Sequence, residues 1–192
     1  MIRMDIDETL VLARNTVRIR RSEVADAERT LASVRASMPE LARWTSWAHE
    51  GYSLEDARIW LDLSVEGWEK GTQYSFIAID VATGEVLGDC SISQINRLNG
   101  FANLGYWVRS TATGQGLGST LARRVARFGV EAVQLNRLEI LTAIGNRASQ
   151  RVAEKAGATR EGVLRSRLIL GEEILDAVLF SLTARDFGRE PG

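Results

Sequence analysis

Glycines at alternate positions, Gly114, Gly116 and Gly118, lie between a strand-like segment, Gly105–Arg109, and an amphipathic helical one. Glycine lets the backbone approach a ligand closely, and the first amides of a helix point outward without partners. With the positive end of the helix dipole, Gly114, Gln115, Gly116, Leu117, Gly118 and Ser119 form a cradle for a pyrophosphate. Dinucleotides, nucleoside triphosphates and coenzyme A all carry one. A glycine turn placed only for tight chain reversal has the same spacing. No Lys-Ser/Thr pair follows the last glycine, which excludes a Walker loop. The dinucleotide fingerprint is G-x-G-x-x-G, with an acidic residue ending the next strand. Here the spacing is G-x-G-x-G, and Glu139 falls inside the next strand.

A second constellation follows. Asn146 and Ser149 are three residues apart and share one face of a helix that also carries Lys155 and ends at Gly157. An N-capping asparagine, a backbone-bonded serine and a solvated lysine have the same pattern. His49 sits in a polar loop, and Cys90 reads as a small core residue. Arg123, Arg124 and Arg127 read as a solvated helix face, with anion contact as the minor option.

The elements that must position these groups are legible from periodicity. Val17–Arg20 alternates as a first strand, and Val24–Ser37 is helical until Pro39 ends it. Ser53-Leu-Glu-Asp56 caps a second helix, which Gly71 stops. Tyr74–Asp80, Val86–Ile95 and Phe101–Arg109 form an antiparallel meander turning at Gly84 and at Asn99-Gly100. Then the pattern switches: helix Gly116–Ala132, strand Leu138–Ala143, helix Asn146–Ala156, and strands Gly162–Leu170 and Ile174–Leu182. Helices flank one mixed sheet in the order β-α-α-β-β-β-α-β-α-β-β.

On these residues the chain resembles the GNAT N-acetyltransferases. Their acetyl-CoA loop, Gln/Arg-x-x-Gly-x-Gly/Ala, is met by Gly116 and Gly118, with Thr113 at the leading position. Asn146 through Gly157 is similar to the N-x-x-S-x-x-x-x-x-K-x-G helix of the RimJ/RimL-like branch. Trp44-Thr-Ser-Trp47, Ser53-Leu-Glu-Asp-Ala57, Gly84-Glu-Val-Leu-Gly88, Leu104-Gly-Tyr-Trp107 and Arg160-Glu-Gly-Val163 extend the likeness from near Val17 onward.

The resemblance implies an α/β fold with a mixed, mostly antiparallel sheet of about seven strands flanked by about four helices. It implies a single domain at 16–188 behind an N-terminal extension at 1–15. It also implies acetyl transfer from acetyl-CoA to a primary amine in a ternary complex, without a metal. The main chain of Trp107, Val108 and Arg109 would hold the pantetheine arm, with the amide near Val108 as oxyanion donor. The amide of Asn146 would bond the pantetheine, Lys155 would sit near a CoA phosphate, and Trp44 and Trp47 would wall the acceptor site. Ser149 would protonate the thiolate, a role many members give to a tyrosine at the position of Ala153.

The family's usual carboxylates are replaced here by Asn103 and Leu168. That leaves Asp89, Glu50 or Glu55 as a water-relayed base, or an acceptor amine that needs none. It also sustains an alternative, a non-catalytic CoA-binding sensor or partner module. Acceptors within reach of the resemblance are a protein N-terminal amine, an aminoacyl-type metabolite or an amine antibiotic.

At 192 residues the chain is long enough for one domain with a sizeable core. With 24 basic and 25 acidic residues, it lacks the basic excess of a general nucleic-acid binder. A lone cysteine, Cys90, excludes an internal disulfide. The start, MIRMDIDETL, is no secretory signal, and no apolar run reaches the ~20 residues of a membrane helix. A cytoplasmic homodimer is expected.

Overall fold

Alternation along Thr16–Arg21 turns Val17 and Ile19 into the core, where neither is exposed. In the computed structural model, which describes residues 6–189, this strand is β2. It lies between β1 (Glu8–Val11) and β3 (Tyr74–Asp80), and β4 (Val86–Asn96) and β5 (Phe101–Val108) continue the antiparallel meander. The strand β5 then pairs in parallel with β6 (Arg137–Ala143). Two long strands, β7 (Thr159–Leu170) and β8 (Glu173–Thr183), complete the sheet in the order β1-β2-β3-β4-β5-β6-β8-β7.

Two apolar layers cover this sheet. Helices α1 (Ala27–Ala36), α2 (Met38–Trp44) and α3 (Leu54–Lys70) enclose a small core around Val34, Leu41, Tyr52 and Leu61. Helices α4 (Leu117–Glu131) and α5 (Arg147–Lys155) cover the larger one, built on Leu121, Val125, Leu138 and Phe180. An aromatic knot joins the layers: Trp68, near the end of α3, lies 4.8 Å from Tyr74, 5.4 Å from Phe76 and 5.6 Å from Phe128.

The local signals held where they rest on capping and turn chemistry. Ser53 and Asp56 form a reciprocal capping box at the start of α3, and Gly71 closes it in the left-handed conformation at φ 66°. Three expectations are corrected. Pro39 does not end a helical region but sits in the first turn of α2, where its missing N–H has no intrahelical partner to lose. The region 24–37 opens as a 3₁₀ turn, Val24–Asp26, before α1 begins. The N-terminal extension is not outside the fold: Glu8–Val11 pairs with Thr16–Ile19, while residues 1–5 lie outside the described residues. The described sheet has eight strands flanked by five helices, in agreement with the expected mixed, mostly antiparallel sheet of about seven strands flanked by about four helices.

Phe76 is fully buried and stacks edge-on against Phe128 at 5.0 Å. Phe76→Ala is expected to destabilise the fold by ~3–5 kcal/mol. Chemical denaturation checks this as a fall in midpoint at unchanged slope.

Candidate active site

The parallel pairing of β5 with β6 is confined to Phe101–Asn103 against Arg137–Glu139. Beyond Asn103 the two strands part, and Ile140–Ala143 of β6 pairs only with β8. The distal half of β5 therefore keeps a bare edge. Two bonds fix which groups face it. The Arg109 amide donates to the Leu87 carbonyl on the β4 side, and the Gly100 carbonyl accepts from Asn136 and Arg137 on the β6 side. Strand alternation then turns the amides and carbonyls of Leu104, Tyr106 and Val108 toward the gap. Those of Gly105, Trp107 and Arg109 are turned toward β4.

The bare edge leads into the glycine turn. Ser110 N–H donates to the buried Ser37 hydroxyl at 3.0 Å, pinning the start of the turn to the end of α1. Gly114 and Gly116 have φ values of 74° and 85°, which side-chain-bearing residues rarely adopt. A Cβ at Gly118 would lie 3.2–3.3 Å from Val108 and Val152, so this glycine lets α4 lie close on both β5 and α5. The first intrahelical bond of α4 runs from Thr120 N–H to the Gly116 carbonyl. The amides of Leu117, Gly118 and Ser119 thus lack intrahelical partners. No side chain caps this end, and its first turn holds no acidic residue. Gln115 donates to the Thr111 carbonyl, Thr113 to the Ser110 carbonyl and Ser119 to the Gly116 carbonyl, so these side chains tighten the turn itself.

Across the gap stands the start of α5. The Asn146 side-chain oxygen accepts from Ser149 N–H at 3.0 Å, which makes Asn146 the helix cap. Its Nδ2 group carries no protein bond among the described residues. Tyr106 reaches over from β5, donating to the Ser149 carbonyl at 2.9 Å with its oxygen 3.2 Å from the Ser149 hydroxyl. Burial pushes the Tyr106 phenol up, so it remains a neutral donor. Sequence reasoning quoted Tyr106 within a motif but gave it no role. Its signal was the alternation that places it on the same face as Val108. Lys155 lies exposed in the last turn of α5, three residues beyond Val152, which touches the Gly118 position.

On the other face of β5, a cavity of about 350 Å³ opens between α1, α3 and strands β3–β5. Trp47, Tyr52, Trp60, Ile77 and Trp107 line it, with Asp89, Thr30 and Ser91 as its buried polar groups. Trp47 is 6.4 Å from Trp107 and 5.9 Å from Tyr52. Trp44 does not line this cavity. Its ring packs on the β6–α5 turn, where a Cβ added at Gly145 would be 3.1 Å from it.

Several expected roles change with these positions. Arg109 offers the gap nothing: its amide is bonded to Leu87 and its guanidinium pairs with Glu85 at 2.8 Å. The Trp107 main chain likewise faces β4, leaving Val108 of the three expected positions, joined by Tyr106. Arg123 is not a solvated residue, since it donates to the Ala156 and Asp186 carbonyls and lies over Phe187. Of the three carboxylates considered as bases, Glu50 and Glu55 are exposed and outside the cavity, while Asp89 is in it. Asn103 lies on β5, and Leu168 lies in the β7–β8 hairpin opposite Leu175. No helix among the described residues is long and apolar enough to cross a membrane.

A mixed sheet that parts beside a helix N-terminus, with a second pocket across the open strand, defines an α/β fold with two sites that meet at one strand. Residues 16–159 match the family described as "Acetyltransferase (GNAT) domain", and the chain belongs to that family. It is 28% identical over 178 residues to YdaF of Bacillus subtilis (strain 168), provisionally named a ribosomal N-acetyltransferase; the match covers 91% of this chain and 94% of that one. The structure of ribosomal-protein-S5-alanine acetyltransferase from Vibrio fischeri is similar at TM-score 0.83 and 20% identity, covering 94% of this chain and 98% of that one. RimL, a ribosomal L7/L12 α-N-protein acetyltransferase in complex with coenzyme A, is similar at TM-score 0.81 and 19% identity, covering 92% and 98%. At these identities the two structures show the common fold.

Asp89 sets a condition on stability. Burial pushes its carboxyl up to about 7, and a long 3.4 Å bond from the Ser22 hydroxyl offsets this only weakly. Because the folded value exceeds the unfolded one, the folded chain holds this proton more tightly. The stability tied to the neutral form is complete below the unfolded value of ~3.9 and is lost as pH rises through about 7. At ~1.4 kcal/mol per unit, the loss is on the order of a few kcal/mol. Asp89→Asn, neutral throughout, is expected to unfold roughly 10 °C above the wild type at pH 8 and only about 1–2 °C above it at pH 4. Thermal unfolding at the two pH values checks this, and an equal difference at both would refute the buried charge.

Proposed function

We infer that the chain moves the acetyl group of acetyl-CoA onto a primary amine by direct attack of the amine on the thioester. The bare edge of β5, running from Tyr106 and Val108 into the uncapped start of α4, carries this reading. An extended pantetheine arm can pair with that edge as a missing strand would, and the pyrophosphate then meets the amides of residues 114–119. Lys155 is a cation available to a further CoA phosphate, and Asn146 Nδ2 is a donor for a pantetheine carbonyl.

The chemistry follows from the same groups. The Val108 amide faces the gap where the carbonyl oxygen gains charge, the position of an oxyanion donor. As the amine nitrogen bonds to the acyl carbon, the carbon–sulfur bond breaks and one amine proton ends on the thiolate. The Ser149 hydroxyl, held by Tyr106, is the donor that stabilises the departing sulfur. RimL is named an α-N-protein acetyltransferase, which supports an α-amine acceptor here. We place the activity in the cytoplasm of the cell and in a homodimer, the commonest closed assembly. The replacement of the usual carboxylates by Asn103 and Leu168 favours one competing reading, a CoA-binding module without turnover.

Thermal unfolding with acetyl-CoA at ~100 times its dissociation constant is expected to show roughly 2.7 kcal/mol of added stability, a rise of ~5–10 °C. NAD and ATP are expected to give no rise, and Gly116→Val, which strains the turn at φ 85°, is expected to abolish the acetyl-CoA effect. A rise with NAD would point to a dinucleotide site, and a rise without amine-dependent thiol release would favour the sensor.

With thiol release followed in the presence of an amine, Ser149→Ala is expected to lower kcat ~10- to 100-fold while the thermal shift with acetyl-CoA stays intact. Unchanged kcat would remove Ser149 from the chemistry.

A further inference from the structure

The acceptor side of the cleft has an unusual composition for a cationic substrate. Its walls are aromatic and aliphatic, Trp47, Tyr52, Trp60 and Trp107 among them, and no arginine, lysine or histidine lines it. At its floor lies Asp89, which is 7% exposed. Asp89 stands directly across from Trp107 in the β4–β5 pairing, on the cavity face of the sheet. In the same lining the Thr30 hydroxyl is buried, without a hydrogen-bond partner among the described residues. A buried carboxylate held only by the long bond from Ser22, and a buried hydroxyl without a partner, are costly unless something pairs with them.

We propose that this cavity receives a primary α-amine adjoining a bulky apolar or aromatic side chain, with Asp89 binding the amine and accepting its proton. The proposal rests on the acetyl-transfer reading and names the substrate class of that site. The apolar walls take the side chain, and Thr30 pairs with a polar group beside the amine. Gly105 has no side chain over β5, and even a Cβ there would meet nothing closer than Asn103 Nδ2 at 3.6 Å. The acceptor nitrogen therefore has a path across the strand to the thioester.

Charge narrows the class further. A polyamine or aminoglycoside brings several cations, but the cavity offers a single receiving carboxylate. The second, Asp56 at the rim, already accepts from Ser53 N–H at 2.8 Å and from the Ser53 hydroxyl at 2.7 Å. A free amino acid brings a carboxylate, and no cation in the lining pairs with it. The acceptor's carboxyl is accordingly blocked, as in an amide, an ester or a peptide. An α-amine of ordinary pKa ~7.7–8.0 also passes its proton to a carboxyl near 7 far more readily than a lysine amine of ~10.4 does.

Thiol release with acetyl-CoA tests this with phenylalaninamide, Phe-Gly-Gly peptide, glycinamide, free phenylalanine and spermidine as acceptors. Phenylalaninamide or the peptide is expected to exceed glycinamide in kcat/KM by about 10- to 100-fold, the worth of burying one aromatic side chain. It is expected to exceed free phenylalanine and spermidine by at least ~10-fold, because each of those brings a charge the cavity does not pair. Activity with the peptide identifies a protein N-terminus as the source of the amine, and activity with the amide alone identifies a small aminoacyl compound. Asp89→Asn is expected to lose ~100-fold in turnover while keeping the wild-type shift with acetyl-CoA.

Calorimetric titration of phenylalaninamide without acetyl-CoA reads the cavity separately. Binding weakened at least ~10-fold in Asp89→Asn supports the proposal even if acetyl transfer fails. Equal use or equal binding of glycinamide or spermidine, phenylalaninamide binding undiminished in Asp89→Asn, or full activity in Asp89→Asn would overturn it.

Discussion

Strands β5 and β6 stay hydrogen-bonded for three residues and then separate, and the organisation of the candidate site depends on that parting. A sheet interior normally leaves no main-chain group unpaired. Here β6 spends its remaining length on β8, while β5 remains paired with β4 up to Gly88–Val108. The gap between them is thus held open by pairing on both outer sides. It presents amides of fixed direction, because both flanking ladders set the register of β5. A helix packed over the same strand then supplies its N-terminus where the edge ends, with Gly118 permitting the approach.

Strand alternation divides the labour around β5. Leu104, Tyr106 and Val108 send side chains to the α4–α5 face, where Tyr106 holds Ser149 and Val108 meets Gly118. Gly105 and Trp107 face the α1–α3 side and line the acceptor cavity. One strand therefore separates two ligand environments, with the opening beside it as their junction. Trp44 ties the halves together from outside: α2 belongs to the acceptor layer, yet its last residue packs on the turn that leads into α5. Movement of α2 would disturb both environments at once.

The parts legible in the sequence were those governed by local rules. The α4 glycine turn, the Asn146 cap and the Ser53–Asp56 box depend on a few adjacent residues, and their chemistry is written in residue type and spacing. The parts that were not legible depend on distant pairing. Nothing local in Trp107 or Arg109 says that their amides are consumed by β4, since that follows from the register with Leu87–Asp89. Arg123 looked like a surface charge because its carbonyl partners, Ala156 and Asp186, are 33 and 63 residues away. The edge strand β1 escaped notice because its few alternating residues acquire meaning only beside β2. Asp89 was one of three equivalent carboxylates in sequence, and only burial distinguishes it.

That burial links the stability of the fold to its chemistry. An apolar side chain in place of Asp89 would seal the cavity floor, with Leu61 and Ile77 already nearby in the lining. The fold instead keeps a carboxyl that resists ionisation and lies among aromatic rings. A fully exposed carboxylate would hold a cation weakly and have little affinity for its proton. A carboxyl poised near neutrality binds an ammonium and can also take a proton from it, because its two charge states differ little in free energy there. The same desolvation that destabilises the ionised form makes the site a proton acceptor matched to an α-amine. A residue that weakens the fold while improving a proton transfer marks a functional position more specifically than one that only fills space.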